Sequence, residues 1–180
     1  MRDSDFSQPS GGSSRRTRGA PASLTVGLLG LGLALAASSC AHQKVLPGTQ
    51  IADTETNRSL LTAVEQYRRR LIEKNVEGLL VLASPRYFED AGTPTAEDDY
   101  GYDGLKYVLT NRLSRLKSIH YEIQYREVRL RGNRAEVDVY MSGAFELIAE
   151  SGDRYQRVSD YHRFELEQGE NDKWKFISGM

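Results

Sequence analysis

The chain has 180 residues, with 24 Lys and Arg against 25 Asp and Glu, so its formal net charge is −1. This balance excludes the strongly basic footprint of a nucleic-acid-binding domain, and we expect no nucleic-acid partner. A single cysteine excludes an intramolecular disulfide. Three histidines without metal-ligand spacing give no reason to expect a metal, and no motif calls for another cofactor.

The beginning of the chain has the layout of an export signal. Arg15, Arg16 and Arg18 precede an uncharged stretch of fourteen apolar or small residues, 24–37. This order, basic then apolar then small, is typical of a secretory signal peptide. A membrane anchor is the alternative, but fourteen residues span roughly 21 Å, less than a hydrocarbon core about 30 Å thick. We therefore expect cleavage rather than a membrane span.

The small residues Ala37, Ser38 and Ser39 lead directly into Cys40, the only cysteine. This stretch resembles the bacterial lipobox, although the first lipobox position is usually leucine. The resemblance implies that a diacylglyceryl group is attached to the Cys40 sulfur and that residues 1–39 are then removed. Two or three acyl chains hold a protein on a bilayer where a single chain would be marginal. The membrane is thus an expected partner, through the lipid anchor.

The residue after the acylated cysteine carries a sorting signal in lipoproteins of Gram-negative bacteria, where aspartate tends to retain the protein in the inner membrane. In this chain the residue is Ala41. The resemblance therefore implies a lipid-anchored protein of the cell envelope, on the periplasmic face of the outer membrane.

A tether over 40–52, with a turn signal at Pro47–Gly48, precedes a domain over 53–180. Apolar residues at helical spacing predict three helices in the first half of this domain, of which the second is short and ends at Ser84–Pro85. A brief strand over 86–89 and a polar loop separate the second helix from the third. The apolar stripes of the first and third helices are Leu60, Val64, Tyr67 and Leu71, and Leu105, Leu109, Leu113 and Leu116.

From Ile119 the apolar period changes to two, which predicts antiparallel strands to the end of the chain. The apolar parity slips after Tyr125, as at a β-bulge, and Gly143 suggests a bend in the long second strand. The third strand has five residues on one face, Val158, Asp160, His162, Phe164 and Leu166. Helices followed by such a meander predict an α+β fold, with the N-terminal helices packed on a strongly bent antiparallel sheet.

The chain ends in the run NDKWKFI over 171–177, and Tyr87–Phe88 precede the polar loop. These motifs and the order of the elements resemble the nuclear transport factor 2-like superfamily, which includes the SnoaL-like cyclases and the ketosteroid isomerases. The resemblance covers about residues 54–178 and implies a cone-shaped α+β barrel with a pocket on its concave face. Because such folds host many activities, it does not decide the function.

The main candidates for chemistry are Asp160 and His162, since strand alternation puts both side chains on one face about 7 Å apart. A carboxylate that orients an imidazole gives a general base near neutral pH. The alternative is that the two residues only hydrogen-bond each other or nearby tyrosines. For ligand binding we single out Tyr87, Tyr107 and Tyr121, because a tyrosine combines an apolar ring with a polar tip.

Three hypotheses for the function stay open. In the first, the domain is displayed at the membrane and binds a small apolar ligand or a protein partner without catalysis. In the second, it is a small cone-pocket enzyme of the isomerase, dehydratase or cyclase type, with Asp160 and His162 as its general base. In the third, the open face of the sheet makes a homodimer or binds another envelope protein, which an exposed apolar patch would support.

Overall fold

The computed structural model describes four stretches of the chain, 44–90, 96–148, 152 and 154–180. The predicted export signal and Cys40 lie outside these stretches, so cleavage and acylation stay predictions. Within them, no helix is both long enough and apolar enough to cross a membrane. Residues 41–180 form a compact unit that contains the whole hydrophobic core. This segment therefore has what it needs to fold on its own.

Part of the predicted tether is folded. An antiparallel bridge between Val45 and Ala52 closes a turn, and within it the Leu46 N–H donates to the Ile51 carbonyl over 2.8 Å. The Thr49 hydroxyl accepts the Ile51 N–H over 3.0 Å. Ile51 is buried. Because this turn buries an apolar side chain, the folded region extends further towards the N-terminus than the sequence pattern indicated.

Three helices occupy the first half of the domain, as the periodicity predicts: α1 (Glu55–Ile72), α2 (Val76–Leu82) and α3 (Tyr102–Ser114). Thr54 caps α1, since its hydroxyl accepts the Asn57 N–H over 3.1 Å. Asn75 caps α2 in the same way, through the Gly78 N–H at 2.7 Å. These caps satisfy backbone donors that have no partner within the helix.

Two short strands, β1 (Phe88–Glu89) and β2 (Tyr100–Gly101), pair with each other. Four longer strands form the main antiparallel sheet, in the spatial order β3 (Leu116–Arg131), β4 (Arg134–Leu147), β5 (Arg154–Gln168) and β6 (Trp174–Ser178). The register shifts between Tyr125 and Glu127, where the change of parity predicted a bulge. In the described residues β3 and β6 are the edges of this sheet, so the expected barrel is not closed. The short β6 pairs only with β5 and does not reach β3.

The helices pack on one face of the sheet, which we call the inner face. Tyr67 of α1 meets Phe164 of β5 and Phe176 of β6, with ring centroids 5.2 and 5.5 Å away. The Trp174 indole N–H donates to the Ser59 hydroxyl of α1 over 3.0 Å. Aromatic contacts of this kind add to the free energy of burial, and they fix α1 against β5 and β6.

The strand register decides which side chains share the inner face. Val139 lies opposite His162 and Met141 opposite Asp160, so both polar residues are on the same side as the buried Phe164, as predicted. The other side of the sheet, the outer face, carries ion pairs between neighbouring strands. These pairs are Arg129 with Glu136 and Asp138, and Arg163 with Asp138.

Candidate functional site

The described helices leave part of the inner face uncovered. Near the C-terminal end of α3, where β4 ends and β5 begins, this face opens into a cleft of about 530 Å³, which we call the α3 cleft. Its lining residues are Asn111, Arg112, Arg115, Leu116, Phe145, Leu147, Gln156 and Val158. Half of these side chains are apolar, and the volume lies in the range of small-molecule sites.

Gly143 makes room for the apolar wall of this cleft. A Cβ atom at position 143 would come within 2.7 Å of the Phe145 ring and 3.5 Å of the Tyr121 ring. The strand pairing on both sides of Gly143 is continuous, so the glycine does not interrupt the ladder. Its effect is to let two aromatic rings lie close to the backbone of β4.

Two arginines lie at the polar side of the α3 cleft. Arg112 belongs to the last turn of α3 and Arg115 follows it, at the end of the helix where the dipole favours cations. Both residues are exposed, and neither guanidinium forms a hydrogen bond or an ion pair with a described residue. Burial and the Glu89 charge raise the pKa of Tyr100, and the Arg112 charge opposes this rise. The positive charge of Arg112 therefore acts on Tyr100, which is partly buried.

Glu89 organises a second polar group. Its Oε2 atom accepts the Tyr87 hydroxyl over 2.6 Å and the Gly179 N–H over 2.7 Å. The Tyr87 oxygen in turn accepts the Met180 N–H over 3.0 Å. Burial, reinforced by the Glu89 charge, raises the pKa of Tyr87 far above its ordinary value. Tyr87 therefore stays protonated and donates to Glu89, and this bond network ties β1 to the last two residues.

The second oxygen of the Glu89 carboxylate, Oε1, has no hydrogen-bond donor among the described residues. Glu89 is partly buried, and its Oε1 forms no hydrogen bond within the described part of the chain. The Tyr100 ring stacks on the Tyr87 ring beside it, with centroids 6.3 Å apart. Chemically, Oε1 is an acceptor for a proton or for a donor group of a ligand.

Asp160 and His162 share the inner face but do not pair. The His162 Nε2 atom lies 2.7 Å from the Gly179 carbonyl oxygen, and the ring packs edge-on against Phe164 with centroids 4.7 Å apart. Because a carbonyl only accepts, this nitrogen carries the proton. The Asp160 carboxylate accepts the Tyr161 backbone N–H over 2.7 Å. The expected orientation of His162 by Asp160 is therefore absent, since each side chain binds a backbone group instead.

Solved structures of other proteins share this architecture. A ketosteroid isomerase-like protein from Erwinia carotovora atroseptica gives a TM-score of 0.56 at 16% identity, covering 69% of this chain and 93% of that protein. A candidate dehydratase of the nuclear transport factor 2-like family from Streptomyces avermitilis gives a TM-score of 0.52 at 14% identity, covering 68% and 92%. This chain has the nuclear transport factor 2-like fold.

A third similar structure is a candidate calcium/calmodulin-dependent protein kinase II association domain from Xanthomonas campestris. It gives a TM-score of 0.53 at 21% identity, covering 77% of this chain and 94% of that one. No protein-family model matches the sequence, and no curated protein matches it either. Proteins with the nuclear transport factor 2-like fold are thus named both for catalysis and for association, so the fold leaves the function open.

The three tyrosines singled out from the sequence are not brought together in this domain. Tyr107 lies on α3 with 73% of its surface exposed, whereas Tyr87 and Tyr121 are buried. The Tyr121 hydroxyl donates to the Met141 sulfur over 3.1 Å. Both buried hydroxyls form hydrogen bonds with protein atoms, so these two tyrosines are part of the hydrophobic core.

Glu89, Arg112 and Arg115 were not predicted as site residues from the sequence. Glu89 lies in a strand of two residues, too short for a periodic pattern. The two arginines are three positions apart and share a face at the end of α3, a spacing that could have drawn attention to them. Within the described residues, no group of three or more His, Cys, Asp or Glu side chains could hold a metal ion.

Proposed function

We propose that the protein is a lipoprotein, anchored through Cys40 on the periplasmic face of the outer membrane, whose domain binds a small apolar ligand without catalysis. The observation that carries this proposal is the α3 cleft, with its apolar side. That side is formed by Leu116, Phe145, Leu147 and Val158. Small-molecule sites combine such a surface with a few polar groups that fix the orientation of the ligand.

The arrangement of Asp160 and His162 supports a role without catalysis. A histidine base is made effective by a neighbour that orients the ring and stabilises its charged form. Here the His162 Nε2 proton is donated to a backbone carbonyl, and the Asp160 carboxylate is occupied by a backbone N–H. Both groups therefore serve the structure of β5 and of the residues that follow β6.

The lipid anchor is supported by the sequence at Cys40, and it is consistent with an apolar ligand. Apolar molecules are expelled from water and concentrate in bilayers. A domain held at the membrane surface would therefore meet such molecules more often than a freely diffusing one. Anchoring and an apolar cleft together favour capture or transfer of a ligand that partitions into the membrane.

A second candidate function is a small enzyme of the isomerase or dehydratase type. The observation that favours it is the free Oε1 of Glu89, beside Tyr87 as a protonated hydrogen-bond donor. A partly buried carboxylate with a free oxygen has the chemistry of a general base. In this version Glu89, rather than His162, would take the proton from the substrate.

Native mass spectrometry of residues 41–180, expressed and purified from the host, tests the proposal. We expect a mass excess that corresponds to one small apolar molecule, which is recovered unchanged after the protein is denatured. A domain that carries no such molecule and binds no added apolar probe would contradict binding. Recovery of a chemically altered molecule from the native domain, but of the unaltered one from Glu89→Gln, would instead establish the enzyme.

A further inference from the structure

The α3 cleft differs in charge from other clefts of the domain. Among the described residues, its lining contains Arg112 and Arg115 and no acidic side chain. Four further clefts formed by described residues each include at least one acidic side chain. The acidic residues are Glu127 and Asp138 in one cleft, Glu65 in the second, Glu167 and Glu170 in the third, and Asp172 in the fourth. The α3 cleft is thus a cationic site with an apolar side.

The nearest acidic residue on β4 does not neutralise this site. Glu146 lies between two residues that line the cleft, but alternation turns its side chain to the outer face. There its carboxylate binds Lys117 at 2.9 Å and accepts the Ser118 hydroxyl at 2.8 Å. These contacts lower the pKa of Glu146 to about 2, so its charge is already matched on the far side of the sheet.

The cleft arginines differ from the arginines that bind carboxylates on other surfaces of the domain. Arg129 and Arg163 on the outer face are bound to carboxylates at 2.7 Å, and Arg68 on α1 is bound to Glu65 at 2.6 Å. The dipole of α3 explains why cations are tolerated at its end. Arg134, Arg154 and Arg157 are also exposed arginines without an ion pair to a described residue. What distinguishes Arg112 and Arg115 is that both border the same apolar cleft.

We propose that the α3 cleft takes an anionic amphiphile with a single apolar tail, such as an alkyl carboxylate. The guanidinium groups of Arg112 and Arg115 would bind the oxyanion, and the side-chain amide of Asn111 or Gln156 would donate a further hydrogen bond. The tail would lie along Phe145, Leu147 and Val158. This proposal rests on the proposed function and names the class of its ligand.

Three probes of equal chain length separate charge recognition from apolar binding. Decanoate, decanol and decyltrimethylammonium are titrated into residues 41–180 by calorimetry. The two ionic probes are kept below their critical micelle concentrations and decanol below its solubility limit. We expect decanoate to bind at least about tenfold more tightly than decanol, and the cation to bind more weakly than either. Added salt should weaken only the binding of decanoate, because a partly exposed ion pair is screened.

Paired variants assign the charge effect to the cleft. The double variant Arg112→Gln, Arg115→Gln should lose about tenfold in affinity for decanoate and keep its affinity for decanol. Arg157→Gln is the matched control, because Arg157 is an exposed arginine on the outer face of β5, between the cleft residues Gln156 and Val158. It should leave both affinities unchanged.

The results that would contradict the proposal also show whether recognition of the anion or binding of any apolar ligand is at fault. Equal affinities for decanoate and decanol, or an equal loss in Arg157→Gln, would refute recognition of an anion while leaving an apolar ligand in place. Binding of none of the three probes would refute the anionic ligand and the proposed function together. Circular dichroism of each variant confirms that it is folded before titration.

Discussion

The Nε2 atom of His162 donates to the Gly179 carbonyl over 2.7 Å, and the N–H of the same glycine donates to Glu89 over 2.7 Å. A single residue near the end of the chain thus joins β5 to β1. Chain termini usually fray unless they are tied down. Here the backbone N–H and carbonyl of Gly179 both form hydrogen bonds to the rest of the domain. One of these bonds uses the ring of His162, the residue that the sequence indicated for catalysis.

Gly179→Ala should destabilise the domain by roughly 2 kcal/mol. Gly179 has φ +89°, and a Cβ atom would collide with the Arg163 carbonyl and come within 3.2 Å of His162 Nε2. Urea unfolding of residues 41–180 measures the change. Gly132→Ala is the control, since Gly132 has φ +62° in open space and should cost only about 1 kcal/mol. Equal costs would mean that the contacts of Gly179 do not matter.

His162→Ala should lower the free energy of unfolding by about 1–2 kcal/mol and leave ligand affinity within about twofold. The variant loses the hydrogen bond to Gly179 and the edge-on contact with Phe164. Decanol titration and urea unfolding of the same preparation report the two quantities separately. If His162→Ala lost ligand binding while its stability was unchanged, His162 would have to contact the ligand directly.

The elements that could be predicted from the sequence are those whose signal is local. The stripe that includes Leu60 and Tyr67 predicted α1, and the change of parity after Tyr125 predicted the bulge in β3. Alternation also put Asp160 and His162 on one face of the strand together with Phe164, and the structure shows that this is the inner face. Periodicity specifies which side of an element a residue faces, because that depends only on residues nearby in the chain.

The partners of those side chains could not be predicted in the same way. His162 binds Gly179, and Glu89 binds the same residue although it lies 90 positions earlier in the chain. The α3 cleft joins a helix end to two strands, so Arg112 and Phe145 meet only once the sheet has formed. Contacts between residues distant in the chain depend on register and strand bending, which no short sequence window contains.

Alkaline pH should destabilise the domain through its buried tyrosines. Burial raises the pKa of Tyr121 and of Tyr125 to about 12, whereas tyrosine in an unfolded chain ionises near pH 10. The folded state therefore holds these protons more tightly. Their contribution to stability is complete below about pH 10 and is lost as the pH rises from about 10 to about 12.

Urea unfolding between about pH 9 and about pH 12 measures this loss, which is at most about 1.4 kcal/mol per pH unit for each tyrosine. Tyr125→Phe should make the slope shallower, because it removes one of the groups that titrate. A slope that is the same in Tyr125→Phe would show that this hydroxyl does not contribute.

Cys40→Ala should abolish acylation of the chain. Cys40 is the only cysteine, so no other thiol can accept the diacylglyceryl group. In cells labelled with radioactive palmitate, we expect the wild-type chain to carry label and the variant to carry none, with residues 1–39 still attached. Ser39→Ala keeps a small residue before the cysteine and is the control that should remain labelled. Label in Cys40→Ala would exclude the lipobox assignment.

Val158→Trp should block the α3 cleft. Val158 is partly buried, lies opposite Gly143 on the inner face and lines the cleft, so an indole there would occupy the space of a ligand. We expect the affinity for decanol to fall at least about tenfold, with stability lowered by no more than about 3 kcal/mol. Ser159→Trp puts the same indole on the exposed outer face, one residue away, and should leave binding intact. If both variants bound decanol like the wild type, the ligand would have to lie elsewhere on the domain, and the function proposed from this cleft would lose its basis.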